Sequence, residues 1–178
     1  LGAVRRDAFL EHGGFDAAAY GRPCIEDIEF GLRLSDSGGR ILLDPAIQGT
    51  HHKRWTLRSM VVTDIRQRAI PWSRLLLQRC HGRRVLNLDA TSRLSGLLSV
   101  LLLGSLACLL RWPALWPVPL LALAALLSVN RGFYALCFRR GGIALALVAP
   151  PLHILYFLYS VLCYALVSAQ HLLSPQPR

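Results

Sequence analysis

LSGLLSVLLLGSLACLL occupies residues Leu94 to Leu110, seventeen consecutive positions without a charged side chain. A helix needs roughly 17–25 such residues to cross a bilayer, so the run reads as a membrane span at the short end of that range. Upstream of it the chain has a different character. All ten acidic residues lie at or before Asp89. Beyond Asp89 the charged residues are Arg93, Arg111, Arg131, Arg139, Arg140 and Arg178. Residues 1 to about 90 therefore read as a polar head, and the remainder as apolar sequence punctuated by arginine.

Downstream, Arg111-Trp112-Pro113 reads as a tight turn and Leu115 to Val129 as a second span, with a re-entrant hairpin as the alternative for this pair. Asn130 to Gly142 reads as a loop carrying three arginines. A third span runs from Ile143 to about Ala169, with a kink expected at Pro150-Pro151. Trp112 and Trp116 fit an interfacial aromatic belt. The sequence thus predicts an all-α membrane region with about three transmembrane helices, at 94–110, 115–129 and 143–169. Arginines crowd residues 66–93 and 131–140, the sides that the positive-inside rule assigns to the cytoplasm. The expectation is a multi-pass protein of the cell inner (plasma) membrane, its head cytoplasmic and its C-terminus outside. The same distribution assigns the net charge of +10 to an anionic leaflet, with no nucleic acid as partner.

The five cysteines, Cys24, Cys80, Cys108, Cys137 and Cys163, form no C-x-x-C pair, and neither a metal nor a disulfide framework is expected from them. The chain opens Leu1-Gly2-Ala3-Val4-Arg5-Arg6, without a methionine or a signal-peptide pattern. It reads as the C-terminal part of a longer protein, the alternative being a small protein that has lost its initiator. Within the head, a short helix is expected from Arg6 to His12, stopped by Gly13-Gly14. A second is expected from Glu26 to Ser37, stopped by Gly38-Gly39, and a third from Thr56 to Ala69, ended by Pro71. Arg40 to Leu43 and Ala46 to Thr50 are strand candidates. Residues 73–93 mix Trp-flanked leucines with arginines and suit an amphipathic interface segment, or a helix packed on a further part of the domain.

Glu26-Asp27 is the pair that carries chemistry. Acidic residues opening a helix complement its dipole and cap its free N–H groups; a carboxylate at the edge of a site also serves as a general base. His51-His52 reads either as polar residues at a strand end or as imidazoles near a metal or diphosphate. His153 faces either a lipid-acceptor path or a carbonyl freed by the proline kink.

In order, the head presents Gly13-Gly14-Phe15-Asp16, Glu26-Asp27, Arg33-Leu34, Gly38-Gly39-Arg40-Ile41, Pro45 and His51-His52-Lys53-Arg54-Trp55. That ordered set resembles the second half of a family-2 glycosyltransferase catalytic domain of GT-A fold, over residues 1 to about 55. The segments Lys53 to Leu57, Asp64, Arg68 to Trp72, Asn130-Arg131 and His153 to Tyr159 resemble membrane-anchored bacterial members. The resemblance implies an α/β head at 1–72, the C-terminal part of a nucleotide-diphospho-sugar transferase domain. It implies an inverting transfer from a nucleotide-diphosphate sugar to a lipid-linked or glycan acceptor. Asp27 would be the catalytic base and Glu26 would position it or touch the acceptor. Gly14, Phe15, Asp16, Lys53, Arg54 and Trp55 would bind substrate, and His51 would touch a metal. The Q-x-x-R-W element is incomplete, with His51 standing three residues before Arg54. No D-x-D is present, so the main ligands of Mg2+ or Mn2+ are expected upstream. The 178-residue chain alone is expected to be inactive. A non-enzymatic membrane protein with a basic lipid- or partner-binding face is the other reading of the same residues.

Overall fold

The computed structural model describes residues 2–50, 52–79 and 89–173. The chain divides into two compact units, Leu1–Leu76 and Leu77–Arg178, each described by itself.

The first unit begins with α1 (Arg6–Glu11) and α2 (Glu26–Asp36). Both end on the glycine pairs expected from the sequence, and in the same way. The Gly14 N–H reaches the Phe9 carbonyl at 2.8 Å and Gly13 reaches Leu10; Gly39 reaches Leu34 at 2.8 Å and Gly38 reaches Ser35. Gly13 and Gly38 have φ of 71° and 85°. These are Schellman caps, which need a left-handed residue that glycine adopts without a Cβ penalty. Gly14 also lies beneath the Phe9 ring, where a Cβ would stand 2.9 Å from ring carbons. Phe15 packs edge to face on Phe9 and Phe30, which are tilted against each other, with centroids 5.2–5.7 Å apart.

α1 and α2 are clamped by one arginine. The Arg33 Nε lies 2.9 Å from both oxygens of Glu29, which is only 2% exposed. Its terminal nitrogens donate to the carbonyls of His12 and, at 2.6 Å, Gly14. One guanidinium therefore neutralises a buried carboxylate and satisfies the carbonyls that the end of α1 leaves unpaired.

The expected α/β head does not form. Among the described residues there is no strand, so the GT-A assignment of residues 1–72 is overturned. Arg40 to Leu43 and Ala46 to Thr50 are irregular, and Ile41, Leu42 and Leu43 are 64%, 80% and 96% exposed. Their β-branched and leucine composition supplies strand propensity, but a ladder also needs a neighbour for its N–H and C=O groups. Among the described residues this unit offers none.

The third helix also runs differently. Thr56 caps α3 (Leu57–Thr63) by accepting the Ser59 N–H at 3.1 Å, and Ser59 returns the bond, a capping box. Pro71 does not end the helix. The chain passes through a π-helical stretch, Asp64–Ala69, into α4 (Ile70–Arg79). A proline ring clashes with the carbonyl four residues back, here Gln67, and the wider register just upstream relieves that clash. Of the expected interface segment, residues 80–88 lie outside the described residues.

The second unit holds α5 (Ala90–Cys108), a 3-10 turn (Pro113–Leu115), α6 (Pro117–Val129) and α7 (Arg131–Leu173). Asp89 caps α5, accepting the Ser92 N–H at 2.7 Å. Among the described residues two helices, α5 and α7, are long and apolar enough to cross a membrane. The middle run makes a 13-residue helix, shorter than a crossing needs. α5 turns small residues inward: Ser95 and Ser99 are fully buried, and a Cβ on Gly96 would lie 2.9 Å from Val161. Such residues allow close helix approach. Asn130, ending α6, donates to the Ser95 hydroxyl at 2.8 Å and to the Leu126 carbonyl.

Residues 131–140 are helical and not the expected loop, and the break falls at Gly141-Gly142 instead of Pro150-Pro151. Gly142 has φ 62° and ψ −159°, a region that only glycine occupies at little cost. Tyr134 and His153 would stand roughly 28 Å apart on one straight helix, yet the hydroxyl lies 3.0 Å from His153 Nδ1. The chain therefore reverses at the glycines into a helical hairpin. His153 bonds this hydroxyl and not the carbonyl expected at the proline kink. Gly142→Ala is expected to destabilise the hairpin by about 1–3 kcal/mol. Faster amide exchange across residues 131–155 in detergent would register it, and unchanged exchange would count against the reversal.

Candidate functional site

Within the first unit an open cleft of about 270 Å3 is walled by Glu26, Asp27, Lys53, Trp55, Thr63 and Arg68, with Pro23, Cys24 and Gln67 completing it. Three separate pieces of chain meet there: the start of α2, the extended stretch after residue 52, and the junction of α3 with the π-helical turn.

The two acidic residues divide their tasks. Glu26 Oε2 accepts the Cys24 N–H at 2.5 Å, fastening the loop that leads into α2. Asp27 Oδ1 accepts the Ile28 N–H at 2.9 Å, while Oδ2 has no partner among the described residues. Asp27 is exposed and lines the cleft. Both sit in the first turn of α2, where the helix dipole favours negative charge.

Lys53 and Trp55, two residues apart, share the cleft side, and the ammonium lies 4.1 Å from the indole centroid. Arg54, between them, is exposed and is not part of the cleft wall. The π-helical turn contributes what the sequence does not reveal. In an α-helix, residues five apart point about 140° from one another; bonds from i to i+5 bring them onto one face. Thr63 and Arg68 reach the same cleft in this way, and Arg68 is held by Asp64 at 3.1 Å. Pro71 is the available signal: it marks a widened turn and not the helix end that its sequence position suggests.

The remaining sequence-nominated residues lie elsewhere. Gly14 ends α1, Phe15 belongs to the aromatic cluster, and Asp16 accepts the Ala18 and Ala19 N–H groups at 3.1 and 2.9 Å. None of the three lines the cleft. His51 is outside the described residues. Among the described residues no three His, Cys, Asp or Glu side chains converge as a site for Mg2+ or Mn2+ requires. The cleft combines an available carboxylate, two cations and an indole. That set suits a hydroxylic substrate next to a phosphate-bearing one. No family model, curated protein or solved structure matches this chain.

Proposed function

We propose that the chain carries the acceptor side of an inverting sugar transferase, working in a longer protein at the cytoplasmic face of the plasma membrane. The donor is a nucleotide-diphosphate sugar and the acceptor a lipid-linked or glycan hydroxyl. The observation that supports it is the convergence of Glu26 and Asp27 with Lys53 and Trp55, residues nominated by the likeness to family-2 glycosyltransferases and separated by more than twenty positions in the chain. The proposal concerns the reaction and not the fold.

In this reading Asp27 Oδ2 takes the proton of the acceptor hydroxyl. The oxygen attacks the anomeric carbon in line, the bond to the diphosphate breaks, and the configuration inverts. Glu26 keeps Asp27 in place through the loop it fastens. Lys53 and Arg68 neutralise phosphate charge, and the open part of the Trp55 indole stacks on sugar C–H groups. The two crossing-length helices anchor the protein in the membrane that carries the acceptor, in a multi-pass arrangement oriented by the arginines of residues 66–93 and 131–140.

The test is transfer itself. Membranes carrying the full-length protein should move labelled sugar from a nucleotide-diphosphate donor into the lipid or glycan fraction, and absence of transfer from every such donor overturns the reading. Trp55→Ala should raise KM about tenfold with little change in kcat, because stacking binds ground and transition states alike. The non-enzymatic reading draws on one observation, that Glu26 fastens the loop before α2. It predicts that neither Trp55 nor Asp27 matters to any turnover.

A further inference from the structure

In the second unit Asp89 is the only acidic side chain, and it is committed to capping α5. Arg93, Arg111, Arg131, Arg139 and Arg140 form no ion pair among the described residues. Their counter-charge has to come from outside the unit. One of these arginines stands beside a polar corner. Arg131 precedes Tyr134 by three positions on α7, which places both on one helix face with Cβ atoms about 5–6 Å apart. The Tyr134 hydroxyl lies 3.0 Å from His153 Nδ1 across the hairpin. Phe133 and Phe157 flank the imidazole with centroids at 4.7 and 4.5 Å. His153 Nε2 has no partner among the described residues. With the tyrosine donating to Nδ1, the ring hydrogen sits on Nε2, a donor left without an acceptor in an apolar helix.

The position of the corner narrows the occupant. Asn130, directly before Arg131, bonds Ser95, two residues from Arg93. Arg93 and Arg131 thus lie near one another, beside the ring cluster that Phe133, Tyr134, Tyr156 and Phe157 form around His153. Basic and aromatic side chains together at one end of bilayer-length helices match an anionic headgroup layer.

We infer that Arg131, Tyr134 and His153 form a site for the phosphate of an anionic phospholipid, the guanidinium supplying charge and Nε2 a directed hydrogen bond. The site rests on the membrane placement proposed above and is independent of sugar transfer. The experiment reconstitutes the full chain in vesicles of phosphatidylcholine with or without phosphatidylglycerol, then counts lipids retained after detergent extraction by native mass spectrometry. Phosphatidylglycerol should be retained preferentially. Arg131→Gln should lower that preference about fivefold, Tyr134→Phe should lower it less, and Arg111→Gln should leave it unchanged. Equal retention of the two lipids overturns the site, as does an Arg111→Gln loss as large as that of Arg131→Gln. Failure to insert into either vesicle removes the membrane placement and the site with it, leaving the transfer assay to judge the cleft separately.

Discussion

Asp27→Asn in the full-length protein is expected to lower sugar transfer by about a hundred- to ten-thousand-fold, the range over which a positioned general base acts. The substitution is nearly isosteric and keeps an oxygen for the Ile28 N–H, so α2 should start where it does now. What disappears is the basicity of a carboxylate at the cleft wall. Donor binding should stay within about twofold, since the missing proton acceptor is needed only as the acceptor oxygen attacks. The pattern expected is therefore a fall in kcat with unchanged donor affinity and membrane insertion. Glu26→Gln provides the contrast. Its carboxamide oxygen still accepts the Cys24 N–H, so a much smaller loss is expected. Turnover preserved in Asp27→Asn, or equal losses in the two variants, would remove Asp27 from the role of base.

Arg33→Ala is expected to cost the α1–α2 module roughly 3–5 kcal/mol, the range for removing one member of a buried ion pair. The module is small, and stabilities of whole domains run only about 5–15 kcal/mol. Loss of protection across residues 6–36 in hydrogen exchange is the expected signature. Glu29 loses its guanidinium partner, and the His12 and Gly14 carbonyls lose their donors in the same step. Arg33→Lys should recover only part of the loss, because one ammonium cannot reproduce the planar fork. The double variant Arg33→Ala, Glu29→Gln should be more protected than the single one, since the buried charge is gone. A single variant with native protection would show that the aromatic cluster, not the arginine, holds α1 to α2.

This clamp changes how the motif residues are understood. Gly14, Phe15 and Arg33 stand out in the sequence as parts of an ordered series, and a series of that kind invites a catalytic reading. Gly14 lies in a left-handed cap, Phe15 in an edge-to-face ring pair and Arg33 against the His12 and Gly14 carbonyls. Glu26, Asp27, Lys53 and Trp55 do share a cleft. Arg68 and Thr63 do not stand out by sequence spacing, because their common face exists only in a π-helical register, for which Pro71 is the one signal. Lys53 and Arg54 look equivalent in sequence, yet only Lys53 lines the cleft.

Properties set over one or two turns are legible in the amino-acid sequence alone. The glycine pairs stop α1 and α2, Gly13 and Gly38 adopting positive φ as such caps require. The charge-free run from Leu94 lies in a helix of crossing length, and the segregation of acidic residues before Asp89 needs no folding to be seen. Properties that depend on a distant partner are not legible in this way. Ile41 to Leu43 has the composition of a strand but, among the described residues, no neighbour to pair with. Pro71 is accommodated by a wider turn, and the reversal at Gly142 is visible only because Tyr134 meets His153. The difference is physical: capping and hydrophobic run length are local energies, whereas ladder pairing, cleft assembly and helix reversal are settled by contacts between residues that the chain brings together from afar.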